Sequence, residues 1–137
     1  MLILGSIVLG AADVPRATRF WCDALGLEPT EPLSGNEFTG LRDADGRTVL
    51  SIQHSDTEPE PEPRLHLDLF ARDSADQAAE VERLVGIGAH RVDWPRYPAD
   101  ADFVVLADTE GNLFCVVDDA RASEPFRLFR ERDAEKG

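Results

Sequence analysis

The sequence predicts an α+β domain made of two βαβββ half-repeats. Two observations carry this. The order strand, helix, strand, strand, strand occurs twice, and its landmarks recur at a nearly constant interval. Asp13 and Asp73 stand 60 residues apart, Gly26 and Gly88 62, and Asp43 and Asp108 65. Recurrence at such a period is the mark of an internal duplication. A ferredoxin-like domain also alternates strands and helices, but it does not call for a matching Asp-x-x-Gly hairpin late in each half.

Each element has its own reason. Residues 2–10 are rich in Ile, Leu and Val and read as a buried strand. Asp13 is placed to cap a helix, with Pro15 in its first turn. Ala17, Phe20, Trp21, Ala24 and Leu25 give that helix one apolar face, on which Phe20 is the core residue of the aromatic pair. Gly26 closes it. Leu27–Leu33 holds Pro29 and Pro32 and fits only an edge strand. Glu37–Arg42 and Arg47–His54 are strands joined by Asp43-Ala44-Asp45-Gly46, with glycine where positive φ is needed. Residues 55–63, SDTEPEPEP, lack any apolar side chain and form a linker.

The pattern then restarts. In residues 65–70, Leu65, Leu67 and Leu69 alternate with His66, Asp68 and Phe70 in a strand. Ser74 and Gln77 have capping-box spacing. Ala78, Val81, Leu84, Val85 and Ile87 mark an amphipathic helix that ends at Gly86 or Gly88. His90–Trp94 is a short strand stopped by Pro95. Asp102–Ala107 and Asn112–Asp118 flank the turn Asp108-Thr109-Glu110-Gly111. The expected division is one domain over 1–119, with repeats at 2–54 and 64–119 around the linker 55–63. A charged tail follows at 120–137, docked through Phe126, Leu128 and Phe129.

The formal net charge of −13 opposes nucleic-acid binding, which needs basic patches, and favours cationic ligands. Solubility alone also accounts for such a charge. No apolar run reaches the roughly 18 residues of a membrane span. The apolar N-terminus carries no Lys or Arg before Arg16, unlike a signal peptide. The expectation is a cytoplasmic protein without membrane or nucleic-acid partners. Cys22 and Cys115 make neither a disulfide framework nor a Cys-x-x-Cys motif and read as two buried thiols.

The segments GSIVLGAADVPRATRFWCDALGLEP, RLHLDLFARD, LVGIGAHRVDWP and DFVVLADTEGNLFCVVD resemble the two halves of glyoxalase-like domains. These belong to the glyoxalase/bleomycin-resistance/dioxygenase (vicinal oxygen chelate) superfamily. The resemblance covers about residues 2–119. It implies that each βαβββ unit curls into an open half-barrel around a concave cavity, and that the protein is a homodimer. Metal-dependent members hold a divalent cation with ligands from the first and last strands of the units. Such a cation stabilises an enolate or alkoxide as a Lewis acid.

Carried over residue by residue, the resemblance leaves this metal set incomplete. Ser6 stands where metal-dependent relatives have His, and Cys115 where they have Glu. His66 matches. Ser51 and Gln53 share one face of the late strand of the first repeat, and Gln53 resembles a glutamine common in this subgroup. Cys115 as thiolate suits a soft metal such as Zn²⁺, and Ni²⁺, Mn²⁺ and Fe²⁺ are the other divalent cations to test. The expected state carries no cofactor.

The plainer reading of His66 is a strand histidine satisfied by a hydrogen bond. The functional one is a general base, since imidazole exchanges protons near neutral pH. Cys115 reads more readily as a small buried hydrophobe than as a nucleophile. Trp94 and Tyr97 flank Pro95, where rigid aromatics at a cavity mouth stack on planar ligands, or cover a sheet edge. Phe103 lines either the helix side or the cavity side of its strand.

Three functions are therefore weighed. The first is binding of a small cationic or planar molecule in the cavity, as in bleomycin-resistance proteins, through Ser6, Ser51, Gln53, Trp94, Tyr97, Phe103 and Cys115. The second is a metal-dependent lyase, isomerase or dioxygenase using His66. The third is a dimeric accessory domain without chemistry, its cavity filled by Phe103 and Phe114.

Overall fold

The computed structural model describes residues 1–31, 35, 37–123 and 128–129. Its contacts divide the chain into two units. One comprises Met1–Pro61 with Asp108–Asn112, and the other Glu62–Ala107 with Leu113–Gly137.

The first unit contains β1 (Ile7–Ala11), α1 (Val14–Leu25), β2 (Glu28–Pro29), β3 (Phe38–Arg42) and β4 (Thr48–His54). Its sheet runs β1-β4-β3-β2. β1 is parallel to β4, with Val8 opposite Ser51, and the other pairs are antiparallel. Asp13 caps α1 by accepting the Arg16 N–H at 3.0 Å, and Gly26 ends the helix at φ +66°. Leu41, Leu50 and Ile52 are buried, as are Val14, Ala17 and Phe20 of α1, which packs on β3 and β4.

Two expectations change here. The strand starts at Ile7, because its ladder pairs Ile7–Ala11 with Leu50–His54, and Leu2 and Ile3 are 98% and 86% exposed. Phe20 and Trp21 are both buried, at 2% and 1% exposure, rather than Phe20 alone. The two rings meet edge to face, 5.1 Å apart. The Trp21 indole N–H donates to Asp108 Oδ2 at 3.1 Å. The turn 108–112 thus supplies a polar anchor that helical periodicity alone does not show.

That turn is densely bonded within the first unit. Asp108 Oδ1 accepts the N–H groups of Glu110 and Asn112 at 2.8 and 2.9 Å. The Asn112 amide donates to Gly10 O at 2.8 Å and Asp108 Oδ2 at 3.2 Å. Glu110 takes a bidentate fork from Arg16 at 2.8 and 3.0 Å, and the Asp13 N–H at 2.9 Å. Burial alone would raise the Glu110 carboxyl, but the Arg16 fork and the Asp13 N–H outweigh it and hold it below its ordinary range. Burial pushes the Asp108 carboxyl up, against the four donors that favour its charged form.

The second unit contains β5 (Leu67–Ala71), α2 (Ser74–Gly86), β6 (His90–Arg91), β7 (Phe103–Ala107), β8 (Leu113–Asp118) and a 3₁₀ turn at Asp119–Arg121. The sheet order β5-β8-β7-β6 repeats that of the first unit. β5 is parallel to β8, with Asp68 opposite Cys115. Both units are βαβββ modules with four-stranded mixed sheets, as the sequence predicts.

The cap of α2 is Asp73, not Ser74. Its carboxylate accepts the Asp76 N–H at 2.9 Å, and the Asp76 carboxylate in turn accepts the Arg72 N–H at 2.9 Å. This mirrors Asp13. Gln77 instead donates to the carbonyls of Asp102 and Val116 at 3.0 and 2.9 Å, tying α2 to the sheet. β6 is shorter than expected, and Trp94 lies beyond it. In the tail, Leu128 and Phe129 donate backbone N–H groups to the buried Asp119 carboxylate. Leu33, Phe126 and most of the tail lie outside the described residues. Among the described residues, no helix is long and apolar enough to cross a membrane.

Candidate functional site

Strand alternation gives the second sheet two faces. Leu106, Phe114 and Val116 are buried, and β8 and β5 carry the contacts to α2. Val105, Cys115 and Val117 form a separate buried cluster, against which Phe70, Trp94, Phe103 and Leu113 pack. Around this cluster lies a cavity of about 510 Å³, within the usual range for small-molecule sites. Its apolar lining includes Phe70, Trp94, Phe103, Val105 and Val117, and its polar lining includes His66, Asp68, Arg96, Asp102, Cys115 and Ser123.

The loop between β6 and β7 carries Trp94 to this cavity and is pinned at several points. The Tyr97 hydroxyl accepts the Val105 N–H at 2.7 Å, and its ring packs 5.4 Å from Phe103. The Arg121 guanidinium donates to Asp100 O and Oδ1 and to Ala101 O at 2.9, 2.9 and 3.1 Å. These bonds hold Asp100 at φ +63°, a conformation most side chains avoid.

At the polar end, His66 Nε2 and Asp68 Oδ1 are 3.0 Å apart, with both side chains about half exposed (44% and 48%). Residues two apart on a strand share a face, so His66, Asp68 and Phe70 all reach the cavity. The parallel register sets Cys115 beside Asp68. Burial pushes the Cys115 thiol up to about 12, reinforced by the Asp68 charge and by a hydrogen bond to it. At neutral pH the thiol is protonated and donates to Asp68, so it is no thiolate nucleophile.

The predicted site residues therefore separate. His66, Trp94, Phe103 and Cys115 converge on the cavity. Tyr97 is not among the lining residues and instead accepts the Val105 N–H and packs against Phe103. Ser6, Ser51 and Gln53 belong to the first unit, where the Ser6 and Ser51 hydroxyls hydrogen-bond at 2.8 Å. Gln53 is exposed beside them on β4. Phe103 walls the cavity and does not fill it. Cys22 is only half buried, contrary to expectation.

Asp68, Asp102, Phe70 and Arg96 were not singled out from the sequence. Asp68 and Phe70 had a visible signal, since the alternation of 65–70 sets them on the His66 face. Arg96 faces the cavity while paired with Glu62 at 2.9 Å.

The metal site implied by the resemblance does not fit these residues. Ser6, hydrogen-bonded to Ser51 at 2.8 Å, stands where metal-dependent relatives have His, and the protonated Cys115 thiol stands where they have Glu. Hard cations such as Mg²⁺ and Mn²⁺ need oxygen ligands, mainly carboxylates, that these positions do not supply.

Comparison with known proteins agrees with the architecture. A search of the curated proteins finds no match. Among solved structures, a glyoxalase/bleomycin resistance protein/dioxygenase family enzyme from Burkholderia phytofirmans PsJN is 18% identical. That alignment covers 84% of this chain and 97% of the other, with a TM-score of 0.64. A possible glyoxalase from Bacillus cereus is 20% identical over 85% of this chain and 99% of its own, also at 0.64. A variant of a fosfomycin resistance protein from Listeria monocytogenes, complexed with Mn(II) and 1S,2S-dihydroxypropylphosphonic acid, is 20% identical. It covers 85% and 92% of the two chains, with a TM-score of 0.63. These likenesses show the fold. Residues 6–117 match the profile of the glyoxalase-like domain, and the chain belongs to that family.

Proposed function

We propose that this protein binds a planar, cationic small molecule in the cavity of its second module. One observation carries the reading. Aromatic side chains from three different elements, Phe70, Trp94 and Phe103, line a single cavity with the carboxylates of Asp68 and Asp102. Rings accept the flat faces of a ligand, and a cation over an aromatic face gains about 0.5–2 kcal/mol. The carboxylates favour positive charge at the ligand's edge. The net charge of −13 adds a long-range attraction for cations. Arg96, the basic group of the lining, is engaged by Glu62. Several solved neighbours are named for resistance to small molecules, which supports assigning the same general class of role here.

A matched ligand set tests this by thermal shift. N-methylquinolinium is planar and charged, 1-naphthylmethanol is planar and neutral, and tetraethylammonium is charged but not planar. A ligand at a hundredfold its Kd stabilises the native state by about 2.7 kcal/mol. The reading expects N-methylquinolinium to raise Tm most, with the rise lost in Trp94→Ala. Equal or absent shifts across the three would contradict it.

The His66–Asp68 contact supports a second reading. A carboxylate on Nε2 orients the imidazole and leaves Nδ1 to take a proton from a cavity-bound substrate. This would make the protein a lyase or isomerase with His66 as general base. Once a turnover assay exists, His66→Ala must abolish activity, and retained activity removes the reading.

A further inference from the structure

We propose that the ligand of this cavity is a zwitterion, a planar aromatic cation that also carries a carboxylate. Arg96 reads the carboxylate, and Asp102 is a counter-ion of the cation. This ligand class rests on the proposed function and narrows it.

The lining holds charges of both signs, with Asp68, Asp102 and Arg96 all bordering the cavity. Asp68 is already engaged by His66 Nε2 at 3.0 Å and by the Cys115 thiol. Asp102 differs. Its backbone carbonyl accepts the Gln77 amide at 3.0 Å and the Asp118 N–H at 2.8 Å, so its place before β7 is fixed from two sides. Its half-buried carboxylate has no hydrogen bond or ion pair among the described residues. A positioned carboxylate at an aromatic-lined cavity gains from an opposite charge, which offsets the cost of its partial desolvation.

Arg96 works against a ligand that is only a cation. Its guanidinium meets Glu62 through one nitrogen, Nη2, at 2.9 Å, and the two side chains are 66% and 52% exposed. An exposed pair of this kind contributes little, because water already solvates both ions. A guanidinium carries five N–H donors in a planar fork, so Nε and Nη1 remain for a second acceptor. A carboxylate fits such a fork with two parallel bonds. A simple cation meets residual repulsion from Arg96, whereas a ligand that brings its own carboxylate turns the same group into an attraction. Trp94 stands two residues before Arg96 on one loop, so a single segment presents both an aromatic wall and the group that reads the anion. Glu62 is the internal rival for that group. It is the last acid of the linker and is followed by Pro63, which also lines the cavity.

The test is calorimetric titration of the full-length chain with ring-carboxylated N-methylquinoliniums and their methyl esters. Each pair shares its ring and its cation and differs in the free carboxylate. At least one carboxylate is expected to bind about fivefold or more tighter than its ester, the upper range for an exposed ion pair. Arg96→Gln erases the difference. Glu62→Gln widens it, since the rival acid is gone and the cationic ester faces an unbalanced Arg96. Asp102→Asn weakens both members of a pair alike. Esters bound as tightly as every carboxylate, with N-methylquinolinium itself also bound, overturn this ligand class and leave the proposed function standing. A preference that survives Arg96→Gln, or affinities unchanged in Asp102→Asn, overturns it too. If neither N-methylquinolinium nor any member of the set binds, the proposed function falls and the zwitterion falls with it.

Discussion

Replacing Asp108 with asparagine keeps the size of the side chain and reverses one half of its hydrogen bonding. Asp108 Oδ1 accepts two backbone N–H groups, and Oδ2 accepts the Trp21 indole and the Asn112 amide. An amide has one acceptor oxygen. If that oxygen keeps the backbone donors, its NH₂ is turned toward the indole and the Asn112 amide. The flipped rotamer opposes the two backbone donors instead. Asn112 retains its bond to Gly10 O, so the larger loss falls on the Trp21 contact. A buried hydrogen bond to a charged acceptor contributes about 1.5–3 kcal/mol. Removing a buried charge returns part of this, because burial already weighs against the ionised Asp108. The net expectation is a loss of about 1–2 kcal/mol, or ~3–8 °C in Tm for a chain of this size. Urea unfolding of Asp108→Asn, Trp21→Phe and the double variant forms a cycle. It should show a coupling of about 1 kcal/mol, as expected for directly bonded groups. A single variant within ~0.5 kcal/mol of wild type, or additive singles, would refute the assignment of this bond as an anchor.

Three further outcomes are expected. Arg16→Ala removes the fork on Glu110 and should cost about 0.5–1 kcal/mol at neutral pH, since Arg16 is half exposed. Glu110 is lowered in the fold, so its contribution is present above its ordinary value of 4.5 and lost as pH falls through the folded value. The gap between wild type and Arg16→Ala should therefore close on acidification, as followed by melting curves, and a constant gap would contradict it. Gly46 and Gly111 both have positive φ, but only Gly111 would set a Cβ 2.7 Å from Pro59 Cγ. Gly46→Ala should cost about 1 kcal/mol and Gly111→Ala clearly more, compared by urea unfolding. With its thiol near 12, Cys115 should react with a disulfide reagent at pH 8 orders of magnitude more slowly in the native protein than after unfolding. Rapid native labelling traced to Cys115 by mass spectrometry would contradict that environment.

Much of this fold is local, and that part was legible. Asp13, Gly26 and the closing bonds of the two Asp-x-x-Gly turns act within a few residues of themselves, so spacing alone located them, while the long-range bonds of the second turn stayed hidden. The duplication then arranged them into modules. The misreadings are non-local. Trp21 is buried through a partner 87 residues away, which helical periodicity cannot report. The N-terminal apolar run looked like strand, but a strand extends only as far as its ladder partner, and pairing begins at Ile7. Ser74 matched a capping box, yet Asp73 next to it is the stronger match to the first repeat. In the site, His66 was legible from its strand position. Alternation also put Asp68 on the His66 face, but Cys115 joins them only through the parallel β5–β8 register. That register is set by tertiary pairing rather than by any neighbouring turn. Trp94 and Tyr97 were both marked by flanking Pro95, and only the folded loop decides which lines the cavity.

The most direct test of the proposed function is a calorimetric titration of metal-free protein with N-methylquinolinium, beside Trp94→Ala and Asp68→Asn. Binding near one equivalent is expected, with affinity falling about 5- to 30-fold in each variant, the equivalent of about 1–2 kcal/mol for a lost aromatic or ionic contact. Undetectable binding, or binding unchanged in both variants, would contradict a cation site between these rings and this carboxylate.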